Sequence, residues 1–436
     1  MITRITTVLL AASVSVAAAN AALAQASAGL RCIANPDVDC VIELAERSFV
    51  LVPEDRWHLV LPNLTQAMFY SGRTARGLEL AQKIEGTAVR RLVNMVRARA
   101  LFHEGKVGET RAVLDRHAEN TRISVGEVTG WALDAYERGA QARGDAAIEL
   151  ANDLLDSHKA ATGEKFHDTT LPSAVAASGD TGAAIDMVNE IPDLYDRAEA
   201  ATLLVEILAN GPDEDRARSL LHDVKTWRAS LDPVRTSQII INEAWAWLQL
   251  DESGQALAIA NEISDARHRD STLSFLVLNA GMSGNAENAL VLAEEIERVD
   301  SKAWALAECA LLAYSSGHQH AAATCLERAR EPVSALMEAL KRGETDPDLR
   351  FEIDGALTAA AQAESLAGND AAVVRIVEAS GIFGSGISDQ IIAAHINAGD
   401  YSLAMLLAFQ GSDALKQAKA MSSLARAMAK KTFIED

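Results

Sequence analysis

Few residues in this chain of 436 have the type and spacing to do covalent or metal chemistry. His318-Gln319-His320 offers two imidazoles on a turn. A bound zinc ion takes three or four protein ligands, and no third donor lies close in sequence, so no metal is expected there. Glu364-Ser365 sets a carboxylate, the group a general acid requires, beside a hydroxyl. The residues that follow, Ala367-Gly368-Asn369-Asp370, read instead as an ordinary helix end. No Gly-x-Ser-x-Gly elbow, phosphate loop, dinucleotide fingerprint or Cys-x-x-Cys pair occurs. The chain is therefore expected to be non-catalytic and to hold no cofactor. Binding chemistry remains: Trp245, Leu278 and Leu311 recur 33 residues apart, the spacing of one column on a repetitive surface.

The elements that would carry such a column show in the stretch from Ala256 to Ala329. There Ala256, Ile259, Ala260 and Ile263 recur 33 residues later as Ala289, Leu292, Ala293 and Ile296, and again as Ala322, Cys325, Leu326 and Ala329. Offsets of 0, 3, 4 and 7 place four side chains on one stripe of an α-helix. A stripe that recurs at fixed intervals is the mark of stacked helical hairpins, each burying its apolar face on the next. Relaxed copies begin at Gly77, Thr110, Ala147, Ala184, Ala217, Val373 and Ala404. Gly72, Gly105, Gly179, Gly284, Gly317, Gly368 and Gly399 each precede a copy by five residues, with Gly144 and Gly211 at three and six. Glycine at these places ends one helix in the left-handed conformation before the next begins. At the joints between hairpins Asp193, Asp232 and Asp265 are placed to cap the following helix. Arg197, Arg235 and Arg269 stand where they can reach the preceding unit's last carbonyls or carboxylates.

Two places break the beat. An insertion near 331–354 predicts a separate helix Pro332–Lys341 and a turn at Gly343. Residues 25–64, punctuated by Pro36, Pro53 and Pro62, read as an N-terminal cap, and an amphipathic helix after Asp413 would close the other end.

A net charge of -21 argues against binding to nucleic acid or anionic membrane, both of which need clustered Lys and Arg. Arg4, the uncharged stretch Ile5–Ala24 and the small-x-small run Ala22-Leu23-Ala24 read as a cleavable signal peptide, residues 1–24. The protein is thus expected in the periplasm or secreted, with no membrane span in the mature chain. Cys32 with Cys40 and Cys309 with Cys325 are expected to pair, as an oxidising compartment permits. Loop-closure entropy gives about 2.6 and about 3 kcal/mol for these two bridges.

A helix pair of about 34 residues with small residues in both helices and glycine at the turn resembles the tetratricopeptide and Sel1-like repeat superfamily. With Gly317 as the turn, Leu306, Ala310, Ala322 and Ala329 fall where that family places its large-small-small-small signature. Pro172 and Arg216 depart from the pattern. The resemblance covers most of the chain from Leu59. It implies an all-α, right-handed α-α superhelix, a solenoid of about ten helix-turn-helix repeats with terminal caps. It also implies that the first helix of each pair lines a concave groove. Trp245, Leu278 and Leu311 would then form a column in that groove, bordered by Trp304 and Tyr314, with Asn242 and Met282 nearby. Such a groove suits an extended or helical peptide, so an envelope protein or peptide is the expected partner. Because tryptophan stacks equally on sugars, a glycan-binding module, or the non-catalytic arm of a cell-wall enzyme, is the alternative. Peptide grooves pair aromatics with Asn and Lys; sugar sites pair them with several close carboxylates.

Overall fold

The computed structural model describes Cys32 and residues 36–84, 86–115, 121–163, 166–343, 349–380, 386–410 and 414–435. The proposed signal peptide lies outside the described residues. Among the described residues every regular element is helical, and no helix is long and apolar enough to cross a membrane.

The chain begins with α1 (Val38–Phe49), a 3-10 turn (Glu54–Leu59), α2 (Leu61–Tyr70) and α3 (Thr74–Ala81). It continues with α4 (Thr87–His103), α5 (Val107–Asp115), α6 (Thr121–Glu137), α7 (Gln141–Thr162), α8 (Leu171–Ala177) and α9 (Thr181–Glu190). Next come α10 (Leu194–Ala209), α11 (Glu214–Arg228), α12 (Pro233–Gln249), α13 (Ser253–Ala260), α14 (Ala266–Met282) and α15 (Ala286–Glu294). The last helices are α16 (Val299–Ser315), α17 (Gln319–Arg342), α18 (Arg350–Leu366), α19 (Asp370–Ser380), α20 (Gly386–Asn397), α21 (Tyr401–Gln410) and α22 (Ala414–Glu435). From α2 to α21 they form successive hairpins, with an even-numbered A helix before each turn and an odd-numbered B helix after it. The fold is an all-α solenoid of helix-turn-helix units.

Each recurring stripe lies on a B helix and faces inward. Ala147, Ala184, Ala217, Ala256, Ala289 and Ala322 are fully buried, as are Leu292 and Cys325. The turns follow the expected chemistry: Gly72, Gly105, Gly179, Gly284, Gly317, Gly368 and Gly399 all have positive φ. Two positions differ. The α6–α7 turn uses Gly139, while Gly144 sits inside α7, where an added Cβ would come within 2.4 Å of the Tyr136 ring. Gly211 is not left-handed; the α12–α13 turn uses Asp251 at φ 59°. That aspartate gains something in return, for its Oδ1 accepts hydrogen bonds from Asn285 and Asn288 of the next hairpin at 2.9 and 2.8 Å.

The joints behave as capping predicts. Asp193, Asp232 and Asp265 accept backbone N–H bonds in the first turns of α10, α12 and α14. Arg197 donates to the Ile191 carbonyl of the preceding hairpin at 2.7 Å. Arg269 reaches forward instead, to Glu297 of the following joint.

The predicted separate helix at Pro332–Lys341 does not exist as such. α17 runs unbroken through Pro332 to a left-handed Gly343. Proline removes one backbone bond and crowds the carbonyl four residues back. The helix continues because Val333 and Leu336 beyond it are buried in the core, with Met337 and Leu340 packed alongside.

The chain divides into two compact units: residues 94–383, and residues up to Val93 together with those from Gly384. This division, whose first boundary falls inside α4, differs from a cap ending at residue 64. In the larger unit the core advances as overlapping clusters along the chain, the A helix of one hairpin belonging also to the next cluster. From α14 to α18 its A helices pack against one another more extensively than the neighbouring B helices do. In the smaller unit α22 packs along both α1 and α2. Asn63 of α2 donates to the Ser423 hydroxyl of α22 at 3.0 Å, and the Tyr70 and Phe433 rings meet at 5.2 Å. The segments expected to cap opposite ends thus cover each other.

Candidate binding face

The face in question belongs to the A helices of the larger unit, and their packing explains how it forms. α16 and α18 bury mostly Ala, and α14 adds Ser274, Ala280 and Gly281 beside Leu273, Leu276 and Val277, so the helices approach closely where the small residues meet. At Gly281 an added Cβ would stand 2.6 Å from the Cys309 Sγ and 2.7 Å from the Cys309 carbonyl. Opposite that buried side, Leu278, Trp304, Glu308 and Leu311 are half-buried and Phe275 is exposed, at helical offsets of three and four within each helix.

That stripe carries Trp245 on α12, Phe275 and Leu278 on α14, and Trp304, Glu308 and Leu311 on α16. Trp245, Leu278 and Trp304 are half-buried and rest on the central core cluster. Leu311 and Asn242 are half-buried, and Met282 is exposed. Tyr314 also packs on the core, but at the α16 end that faces Arg330 and Glu364; burial and the Glu364 charge push its phenol up.

Sequence reasoning missed three residues of this face. Phe275 is 43% exposed, and its ring meets that of Trp245 edge-on with centroids 6.2 Å apart. Glu308 stands between Trp304 and Leu311 on the same stripe; burial pushes its carboxyl up, and no cation pairs with it among the described residues. Glu206 on α10 is exposed to solvent, yet its carboxyl too is pushed up, by burial first and by the charge of Glu137 on α6 second. The register itself was the available signal: Asn242, Phe275 and Glu308 are separated by 33 residues, like the column beside them.

Two clefts exist elsewhere in this unit, and neither includes a stripe residue. One, of about 820 Å³, lies between α15, α16 and the long α17, with Pro332 on its wall. Its charges are engaged: Arg328 pairs with Glu294 at 2.7 Å, and the Lys302 ammonium donates to the Glu294 carbonyl. The other, of about 330 Å³, opens between α7 and α9. Its buried Asp168 is consumed in capping α8, accepting from the Thr170 and Leu171 amides at 2.9 Å each.

The residues that suggested chemistry are occupied structurally. The His318 ring packs over Gly284, the turn of the preceding hairpin, where an added Cβ would lie 2.8 Å away. Among the described residues no group of three His, Cys, Asp or Glu is arranged to hold a metal. Glu364 is buried and receives Arg330 at 2.9 and 3.2 Å and Asn369 at 3.0 Å, joining consecutive hairpins. An ion triad, buried at Arg228 and Glu243 and exposed at Glu262, links three further elements. Arg228 closing α11 pairs with Glu243 on α12 at 2.5 Å and with Glu262 beyond α13 at 2.8 Å. Burial drives the Glu243 carboxyl up while Arg228 pulls it down. The triad lines neither cleft, so we read it as a clamp between hairpins. Both cysteine pairs are at bridging distance, with Cα atoms 6.0 Å apart in each, one in each unit.

No family model matches the chain, and no curated protein matches it. Among solved structures it is similar to one titled "Circular tandem repeat protein with novel repeat topology and enhanced subunit contact surfaces", at 14% identity over 91% of this chain and 85% of that one. The TM-score is 0.25, so the likeness carries no argument, and the fold rests on the hairpins described above.

Proposed function

We propose that this protein is an exported, tetratricopeptide-like repeat scaffold without chemistry of its own, which binds a protein or peptide segment in the cell envelope. The observation that carries the reading is the run of partly exposed aromatic and aliphatic side chains across three successive A helices: Trp245, Phe275, Leu278, Trp304 and Leu311. They lie on consecutive A helices, so an extended chain can touch each helix in turn. Large rings give contact area at low entropic cost. Two cysteine pairs at bridging distance suit an oxidising compartment.

A glycan is the second reading, favoured by the carboxylate of Glu308 between Trp304 and Leu311 on α16. Display of random dodecapeptides on the immobilised protein separates the two. Peptides should be retained by the native chain and lost from Trp245→Ala and Trp304→Ala. Retention of every peptide by both variants would remove the face from consideration.

A further inference from the structure

We infer that the Cys309–Cys325 bridge is made only before the hairpins stack. A dithiol–disulfide oxidant must reach these two cysteines while the α16–α17 hairpin still stands open, and the finished fold then seals them against oxidation and reduction alike. Cys32 and Cys40, by contrast, stay exchangeable. The chain is thus the substrate of a thiol-oxidising reaction that precedes its folding. The exported reading above enters only as the compartment in which the oxidant is met.

Burial is the ground. Cys309 and Cys325 are each 0% exposed, and both belong to the central core cluster. Their cover comes from more than their own hairpin. Gly281 of α14 lies so close that a Cβ there would stand 2.6 Å from the Cys309 Sγ. Neither cleft described above includes either cysteine. Thiol–disulfide exchange passes through a mixed disulfide, so a third sulfur must touch one of the pair. A contact already too close for a methyl group leaves no room for that sulfur on the α14 side. Before α14 docks, the same side of Cys309 is open, and the two cysteines are only 16 residues apart in the chain.

The step balances with the oxidant alone. One chain thiolate attacks the oxidant's disulfide and releases one oxidant thiol. The second, its proton given to solvent, attacks the mixed disulfide, closes the Sγ–Sγ bond and releases the other oxidant thiol. Two cysteines are oxidised, and one disulfide is reduced to a dithiol. The order of the cysteines supports the same sequence of events. Both bridges join cysteines consecutive in the chain, so oxidation pair by pair from the N-terminus gives the native pairing without reshuffling. A chain that stacks its hairpins first is trapped as the dithiol, because buried cysteine packs as an ordinary small apolar residue. The first pair differs, for Cys32 is buried but Cys40 only half-buried, which leaves one sulfur open to attack in the folded chain.

The test is thiol mapping of the full-length protein, by alkylation and peptide mass analysis, under excess dithiothreitol. In the folded chain Cys309–Cys325 should be reduced at least ~100-fold more slowly than Cys32–Cys40, since opening of a core is rare. Guanidinium chloride should bring the two rates together. In the converse arm the chain is reduced, refolded under reductant and then given oxidised glutathione; Cys32 and Cys40 should oxidise while Cys309 and Cys325 stay thiols. Similar reduction rates for both pairs in the folded chain would overturn the inference, as would ready re-oxidation of Cys309 and Cys325 after refolding. If the reduced chain does not refold, the first arm alone decides. Mapping the protein recovered from cells judges the exported reading separately: thiols at all four cysteines would remove export and leave the sealing intact.

Discussion

The larger unit and the smaller one solve the same problem in opposite ways. A helical hairpin cannot bury its apolar face alone. In the larger unit each hairpin is covered by its neighbour in sequence, and three of the polar ties share one short reach. Asn285 meets Asp251, Arg328 meets Glu294 and Arg330 meets Glu364, every pair 34 residues apart. In the smaller unit the covering helix comes from the far end of the chain, and Asn63 meets Ser423 across 360 residues. Local cover can form step by step, whereas distant cover requires closure of a long loop before any contact repays it. The comparison teaches that one stripe pattern supports both arrangements, with loop entropy separating them.

Deleting α22 should break the comparison most severely. It removes Met421, Leu424 and Met428 from the cores of α1 and α2, and each such large side chain lost costs about 2–5 kcal/mol. Hydrogen exchange should show α1 and α2 unprotected while α12 to α18 keep their protection; uniform loss across both units would deny their independence. The cysteine pairs come next. Replacing both Cys309 and Cys325 by Ala should destabilise the larger unit by about 3 kcal/mol, from the 16-residue separation they close. Chemical denaturation followed at α16 would read it, and the Cys32–Cys40 pair should affect only the smaller unit.

A smaller effect is expected at the helix crossing. Gly281→Ala forces α14 and α16 apart against the Cys309 backbone and should cost about 1–3 kcal/mol. Thermal unfolding measures it, together with reduced binding if the stripe loses its alignment. Gly130, which has open space around it, is the control and should tolerate Ala.

The smallest effect is the most diagnostic of the face. The Glu308 carboxyl is raised in the folded state by burial, so folding favours its protonated form. The stability belonging to that form is complete below the ordinary carboxylate range and lost as pH rises through the raised value. Glu308→Gln should therefore raise the melting temperature slightly at pH 7 and make no difference near pH 4. An equal gain at both pH values would assign the effect to packing rather than charge.

Much of the solenoid was legible from residue types. The stripes at Ala256, Ala289 and Ala322 could be read because a helix that buries one face must repeat small and apolar residues at fixed offsets. The seven turn glycines could be read because positive φ excludes most other side chains. Asp251 escaped, since aspartate tolerates the left-handed region without announcing it, and here the Asn285 and Asn288 bonds repay the strain. Pro332 misled for a similar reason: local propensity against helix was overridden by the burial of Val333 and Leu336. On the face, Trp245 stood out by type, while Phe275 and Glu308 were legible only through the 33-residue register they share with Asn242.

What the sequence determined by itself was the hairpin, its period and its inward face, because those depend on residues within one or two helical turns of each other. Tertiary structure alone decided that α22 covers α1 and α2. It also decided which carboxylates lie on apolar ground without a cation. Both depend on contacts between distant parts of the chain, and no spacing within a repeat encodes them.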